Sequence, residues 1–360
     1  MAGEATGEEM ITIRDVANRA GVSIATVSSV INNSRPVSDK TRRLVESAIR
    51  ALNYVPNRAA RSLKSGRARV IVYIVPTVTN VVFGHLFEEI QTQLDQHGYS
   101  LTIFANRVDP RETRSYMATL TRSNTDGVIM TQTGTCGKII AEACRSRGIP
   151  LAIIQAPDTI EGVNMVVSNE EEGAMMAVDH LVECGHSSIG IVMNAESRVH
   201  RRRFNGYRTA MARHGLQVYE NAIVKTQGHS EECARRSLML HLGSNPLAFS
   251  GLICCNDYMA LGALKALQHH GYAVPKDVAV LGFDNSISDF TIPPLTSVEF
   301  AGAAMARAVV RSLLQQIAEE ERAPIAKIVY SPRLVVKGST VPAHTSPDAG
   351  EGASAGAPQP

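Results

Sequence analysis

From residue 69 onward the chain alternates short apolar runs with amphipathic helical stretches, and that alternation leaves few folds open. The runs are RVIVYIVP (69–76), YSLTIFAN (99–106), DGVIMTQ (126–132), PLAIIQ (150–155), SIGIVMN (188–194), LICCN (252–256) and DVAVLGFD (277–284). Between the first two, FGHLFEEIQTQLDQHG sets Leu86, Phe87, Ile90 and Leu94 on one helical face. Near-continuous apolar strands separated by helices build parallel sheets covered on both faces. The pattern divides into two such units, with seams near residues 163–168 and 292–297.

Ligands of parallel sheets sit beyond the carboxyl ends of the strands, and a cleft between two units adds a second wall. That rule selects Phe83 after the first strand, Thr131 and Thr133 after the third, Asn256 and Asp257 at the end of LICCND, and Asp284 at the end of VLGFD. Arg203, in RRRFNGY, opens a helix after the SIGIVMN strand. A planar guanidinium with five donors at such a turn fits polar recognition. Asp257 can equally cap its own helix, and Phe83 can simply line the cleft.

The first sixth of the chain is different. Between Met10 and Arg69 stand twelve Lys/Arg against three acids, whereas the whole chain carries a net charge of only +2. A basic module joined to an acidic remainder suggests nucleic acid at one end and another kind of partner at the other. In TIRDVANRAG, Thr12 and Asp15 form a capping box, Gly21 suits a left-handed stop, and Ile13, Val16, Ala17 and Ala20 make one stripe. Ser23 caps a second helix whose inward positions are Val27, Val30 and Ile31, leaving Ile24, Ala25, Ser28, Ser29 and Asn32 outward. Ser38 opens a third helix with Leu44, Val45, Ala48, Ile49 and Leu52 inward. Two short helices on a Gly-containing turn, braced by a third, describe a helix-turn-helix unit with the second helix as the major-groove reader. Next, PNRAARSLKSGR (56–67) reads as a helix of about two turns, too short to be stable alone.

TIRDVANRAGVSIATVSSVINN followed by YVPNRAARSLKSG resembles the LacI/GalR family of bacterial transcription regulators, and the resemblance continues over nearly the whole chain. It implies a small all-α helix-turn-helix head plus an α/β two-lobed body of the periplasmic-binding-protein-like type I, crossed three times by the chain. By the resemblance Ser23, Thr26, Ser28, Asn32 and Tyr54 touch DNA phosphates, and Ile24, Ala25 and Ser29 occupy base-reading positions. Leu63 matches the leucine that wedges into the minor groove at the operator centre, and Lys64 is similar to the lysine of the purine-repressor branch. Arg203 and Asp284 match effector-binding positions, and Asn256 and Asp257 open NDYMALG, which matches the family's NDxMALG pattern. Position 29 departs from the long polar or basic side chain common there. No arginine–guanine pair is then available, and specificity shifts toward half-site spacing and deformability of the central step.

The implied organisation is a tail (1–9), a DNA-binding domain (10–55), a hinge (56–68), an effector-binding and dimerisation body (69–338) and a second tail (339–360). Within the body, lobe 1 takes about 69–165 and 297–323, and lobe 2 about 166–296 and 324–338. The third crossing is expected near 323–330. Four prolines, five alanines and three glycines in residues 339–360 leave no heptad, so a homodimer is expected rather than a coiled-coil tetramer.

Other function classes fit less well. The first ten residues hold three glutamates and no apolar run, so no secretory leader is expected, and a transporter's solute-binding protein would carry one. No stretch approaches the ~18 apolar residues of a membrane span, and a cytoplasmic, nucleoid-associated protein is expected. HExxH, GxSxG, GxxxxGK[ST] and a post-strand GxGxxG are missing, so no catalytic residue, cofactor or metal is expected. His180, Cys184 and His186 fit no common zinc spacing, and the six cysteines read as reduced thiols. The expected partners are therefore a double-stranded DNA operator, a small-molecule effector acting as inducer or corepressor, and a second copy of the chain. A protein partner could replace the metabolite. The run Arg201–Arg203, with Arg198 and His200 nearby, hints at an anionic effector such as a sugar acid or phosphate, or is a solvated basic face, and the lack of tryptophan removes an indole platform for a sugar.

Overall fold

The computed structural model describes residues 11–32, 35–54, 67–106, 109–131, 134–318 and 325–340. The chain separates into two units at Ala68/Arg69. In the first, α1 (Ile13–Ala20), α2 (Ile24–Asn32) and α3 (Asp39–Ala51) surround a core of Val16, Ala17, Val27, Val30, Val45 and Ala48. The capping signals are realised locally. Asp15 reaches back to the Thr12 backbone N–H at 2.8 Å, and Gly21 takes the left-handed conformation at φ 65°. Ser38 Oγ accepts the Thr41 N–H at 3.3 Å. Leu44 departs from expectation: it is 49% exposed. Val45 and Ala48 fill the small three-helix core, and Leu44 lies about 100° round the helix from Val45, so no room faces it.

The second unit holds two six-stranded sheets. The first consists of β1 (Val70–Val75), β2 (Ser100–Ala105), β3 (Gly127–Met130), β4 (Leu151–Ile154), β5 (Asn164–Ser168) and, from late in the chain, β11 (Lys327–Tyr330), in the order β11-β5-β4-β3-β1-β2. The second consists of β6 (Ile189–Met193), β7 (Ile223–Lys225), β8 (Gly251–Cys254), β9 (Ala279–Phe283), β10 (Thr296–Glu299) and β12 (Arg333–Val335), in the order β12-β10-β9-β8-β6-β7. Every pairing is parallel except β10 with β12. Alternation along β1 explains its unbroken apolar text. Ile71, Tyr73 and Val75 enter one core, while Val72 and Ile74 enter the core on the opposite face. Leu86, Ile90 and Leu94 of α4 (Val81–Asp95) cover the first of these faces as their spacing predicts.

The chain passes between the sheets after Ser168, after Glu299 and between Tyr330 and Arg333. This corrects the lobe limits read from the sequence, which gave 324–338 to lobe 2 and ended the first segment at 165. Lys327–Tyr330 pairs in parallel with Met165–Ser168 as an edge strand, and its largely exposed side chains carry no apolar alternation to announce it. The expected tail also begins too early. Ser339 and Thr340 are buried, because Ser339 Oγ accepts the Thr296 N–H (2.8 Å) and donates to Val280 O (2.6 Å), while the Thr340 hydroxyl meets Thr296 Oγ1 and His180 Nε2 at 2.8 Å each. Paired hydroxyls let a polar segment pack. Residues 341–360 lie outside the described residues.

Candidate DNA-reading helix and effector cleft

In the head, Ser23 is the start of the reader helix. Its Oγ accepts the Thr26 N–H at 3.1 Å and shares a 2.9 Å hydrogen bond with the Thr26 hydroxyl. One orphan donor of the first turn is thus satisfied, and the positive end of the helix stays at the surface, where anions bind readily. Ile24 is 42% exposed and Ala25 is exposed, while Ser28 and Ser29 are half-buried. An outward face of small, uncharged side chains is what close entry into a major groove requires. Asn32 closes the helix, and Tyr54 packs half-buried against the head core. Leu63 and Lys64, with nearly all of the expected hinge, lie outside the described residues.

In the body, strand order reverses at β1, flanked by β3 and β2, and at β6, flanked by β8 and β7. These are the switch points where crevices open. Arg203 follows β6 on a helix, α8 (Arg198–Arg213), and is 5% exposed. Its Nε donates to Glu170 Oε2 (2.6 Å), one terminal nitrogen to the Cys255 carbonyl (2.5 Å) and the other to Asp284 Oδ1 (3.2 Å). Glu170 opens α7 (Glu170–Glu183) immediately after the first crossing. Gly206 permits the approach of the two helices, since a Cβ there would lie 2.1 Å from the Glu171 carbonyl oxygen. Burial opposes the Arg203 charge, but Glu170 and Asp284 together outweigh it and hold the guanidinium more firmly protonated than usual.

Around this cluster lies a cavity of about 10 Å³ at the three crossings, lined in part by Gln155, Ser168, Glu170, Arg203, Phe283 and Asp284. That is room for about one water and none for a metabolite in this arrangement of the lobes. One contact ties the lobes at the cavity and another away from it. Gln155 of lobe 1 donates to Glu170 Oε1 at 2.9 Å and accepts the Ser168 N–H at 3.0 Å, and Arg198 of lobe 2 pairs with Asp158 of lobe 1.

Of the residues selected from the sequence, the structure brings Arg203 and Asp284 together. Asn256 stands beside them as a cap: its Oδ1 accepts the Met259 N–H (2.6 Å) and its Nδ2 donates to the His229 carbonyl (3.1 Å). Asp257 is 0% exposed and offers a ligand no surface. Its carboxylate instead takes the Ser297 hydroxyl (2.6 Å) and the N–H groups of Ser286 (2.7 Å) and Ile287 (3.3 Å). It therefore positions the loop in which Asp284 adopts φ 93°, a strained value for a residue with a side chain. Burial, aided by the Asp284 charge, pushes the Asp257 carboxyl up to about 7. Phe83 is half-buried on the lobe 1 core, and Thr131 is buried with its N–H on Ile74 O at 3.0 Å. Neither lines the cavity. Thr133 lies outside the described residues.

Sequence reasoning missed Glu170, Gln155, Phe283 and His229, whose ring meets that of His200 edge to face at 4.9 Å. Burial, then Arg203, pulls both imidazoles toward the neutral form. The arginine run resolves simply: only Arg203 is buried, and Arg201 is exposed with a bond to the Ala195 carbonyl. Burial pushes the Cys255 thiol up to about 12, leaving no reactive thiolate beside the cleft. His180 and His186 meet separate hydroxyls, on Thr340 and Ser250, Cys184 Sγ lies 3.7 Å from His180 Nε2, and no group of three metal-ligating side chains occurs among the described residues.

Comparison with known proteins assigns both parts. Residues 12–57 match the model for bacterial regulatory proteins of the lacI family, and residues 178–340 match a periplasmic binding protein-like domain. The chain is 33% identical to the HTH-type transcriptional repressor PurR of Mannheimia succiniciproducens over 92% of its length and 98% of that protein. It is also 33% identical to the regulator DegA of Bacillus subtilis, covering 93% and 99%. Among solved structures, the Lac repressor dimer bound to operator and the anti-inducer ONPF superimposes with a TM-score of 0.80 at 27% identity, over 92% of this chain and 100% of that one. The complex of the transcriptional regulator CelR with cellobiose gives a TM-score of 0.67 at 26% identity, over 91% and 99%. These relatives are transcription regulators, not enzymes, and the chain belongs with them to the LacI family, as a DNA-binding regulator with an effector-binding body.

Proposed function

We propose that the protein is a homodimeric transcriptional repressor of the cytoplasm that binds a pseudopalindromic operator and is controlled by a small polar metabolite held between its lobes. The observation that carries the effector reading is the Arg203–Glu170–Asp284 cluster, buried where the chain crosses between lobes. A guanidinium and two carboxylates placed at a hinge can bind a ligand differently in open and closed states, and only such differential affinity shifts an equilibrium. In this reading Arg203 and Asp284 touch the effector, Asp257 positions Asp284, and Asn256, Phe83, Thr131 and Thr133 belong to the wider walls that border it once the cleft is open.

On DNA, Ile24, Ala25 and Ser29 face base edges, Ser23, Thr26, Ser28, Asn32 and Tyr54 meet phosphates, and Leu63 with Lys64 enters the minor groove at the centre. Dimerisation is supported by Phe290 and Ile292, which stand 86% and 94% exposed on one loop of lobe 2. Two large apolar side chains so fully in water favour a covering partner. The solved relative named as a dimer bound to operator and the relatives named as repressors are in keeping with this reading. No helix among the described residues is long and apolar enough to cross a membrane. The test is footprinting of the full chain on selected genomic fragments. Two protected half-sites related by a two-fold axis are expected, and protection of a single unsymmetrical site would overturn the dimeric reading.

A further inference from the structure

We infer that Glu170 is a charge-selectivity residue of the cleft: by pairing with Arg203 it makes the site a receptor for an uncharged, hydroxyl-rich metabolite and a poor one for carboxylates and phosphates. The inference rests on the reading of this cleft as the effector site. An unpaired buried arginine would be an anion receptor, since its planar fork matches carboxylate and phosphate geometry. Here that function is spent internally. The Nε and one terminal nitrogen of Arg203 already rest on two different carboxylates, at 2.6 and 3.2 Å, and the other terminal nitrogen rests on a backbone carbonyl.

Two acids facing one guanidinium leave no positive charge for a ligand to neutralise, whether or not Asp284 holds a proton. Nearby groups do not restore it. His200 and His229 are held toward the neutral form, and Arg198 is engaged by Asp158. With the lobes closed Glu170 is held in place as well: its second oxygen accepts from the Gln155 amide at 2.9 Å, and Gln155 is itself held by the Ser168 N–H. An anion enclosed between the lobes would have to prevent this contact from forming or sit against uncompensated negative charge in a poorly solvated space.

What remains available is specific. The Asp284 side chain keeps 15% of its surface exposed, and among the described residues its Oδ2 takes no hydrogen bond, so one acceptor is presented to the cleft. Arg203 has used three of five N–H donors. A hydroxyl group donates to the first and accepts from the second at once, whereas a carboxylate or a phosphate monoester dianion has no proton to donate and inorganic phosphate brings its single O–H with a full negative charge.

The test measures saturable thermal stabilisation of the full chain by inorganic phosphate at fixed ionic strength, in wild type, Glu170→Gln and Asp284→Asn. Wild type should show no saturable effect, and both variants should bind phosphate at least tenfold more tightly, because each frees part of the guanidinium. Asp284→Asn keeps the test open if Glu170→Gln does not fold. Saturable stabilisation of wild type by phosphate, abolished in Arg203→Lys, would overturn the inference, as would indifference of both variants to phosphate. Matched sugars (glucose, gluconate and glucose 6-phosphate, with ribose and galactose equivalents) provide a second arm. Tighter binding of the acid or phosphate than of its neutral parent counts against Glu170 selectivity, and a neutral parent bound alone supports it. The effector reading itself would fail differently: occupation of the cleft by any sugar would leave operator affinity unchanged.

Discussion

The guanidinium carbon of Arg203 stands 4.3 Å from the centroid of the Phe283 ring, so the cation that joins Glu170 to Asp284 is also seated on an aromatic face. Phe283 ends β9 and Asp284 follows it directly, so one strand end supplies both the platform and an acid. Such a contact in a desolvated site contributes about 2 kcal/mol.

Removing that cation should be costly to the body. Arg203→Ala leaves two buried carboxylates without a counter-charge, and breaking one side of a buried pair typically destabilises by about 3–5 kcal/mol. Urea unfolding should register this loss while the head still binds operator at a temperature where the variant is folded, with the effector response gone. An unchanged unfolding midpoint would show that the cluster is not an ion pair of the kind described.

Stability should also depend on pH in a defined sense. Asp257 has its carboxyl raised to about 7, so between its unfolded value, near 4, and 7 the folded chain binds the extra proton, and stability falls as pH rises through that window. His200 acts oppositely. Burial keeps it neutral when folded, so its contribution is present above about 6.5 and lost as pH falls below it. His229, His180 and His186 act in the same sense as His200, so the Asp257 effect is read as a difference between proteins: relative to wild type, Asp257→Asn should lose the part of the urea-midpoint decline that falls between about pH 5 and 7.

In the head, Ser23→Ala removes the acceptor for the Thr26 N–H and should destabilise the three-helix unit by about 1 kcal/mol. Circular dichroism melting of the full chain should show the loss in the head's transition, accompanied by weaker DNA binding. A head as stable as wild type would mean that the cap contributes nothing.

For the dimer, Ile292→Arg places a charge on the 94% exposed position of the apolar loop. Sedimentation should show dissociation at concentrations where wild type is dimeric, and operator affinity should fall at least tenfold because two half-sites are no longer bound together. A dimer that persists would move the interface elsewhere.

Operator binding should weaken steeply with salt, log K falling by ~0.9 per neutralised phosphate for each unit of log salt concentration. Leu63→Ala should reduce both affinity and DNA bending in a gel-mobility assay. Unchanged bending would remove the wedge role from Leu63.

The legible parts of this fold were those encoded locally. The caps at Thr12, Ser23 and Ser38, the stripe of α4 and the double-faced strand β1 follow from spacing alone. Arg203 and Asp284 were legible because both sit where strands end, and a rule about parallel sheets selects such positions. Glu170 was not, because it is the first of three glutamates in a helix's opening turn, where acids ordinarily complement the helix dipole. Its partner lies 33 residues away and is met only through the close packing at Gly206. The role of Asp257 was hidden similarly: its hydrogen bonds run to Ser286, Ile287 and Ser297, and only tertiary structure brings these near. Strand β11 escaped because an exposed edge strand needs no apolar alternation.

The three crossings after Ser168, Glu299 and Tyr330 have a mechanical meaning. Neighbouring tethers define a fulcrum, so the lobes can rotate about it but are restrained from sliding or separating. Because the Arg203 cluster sits at that fulcrum, a displacement of a fraction of an ångström there is magnified at the lobe rims in proportion to lever length.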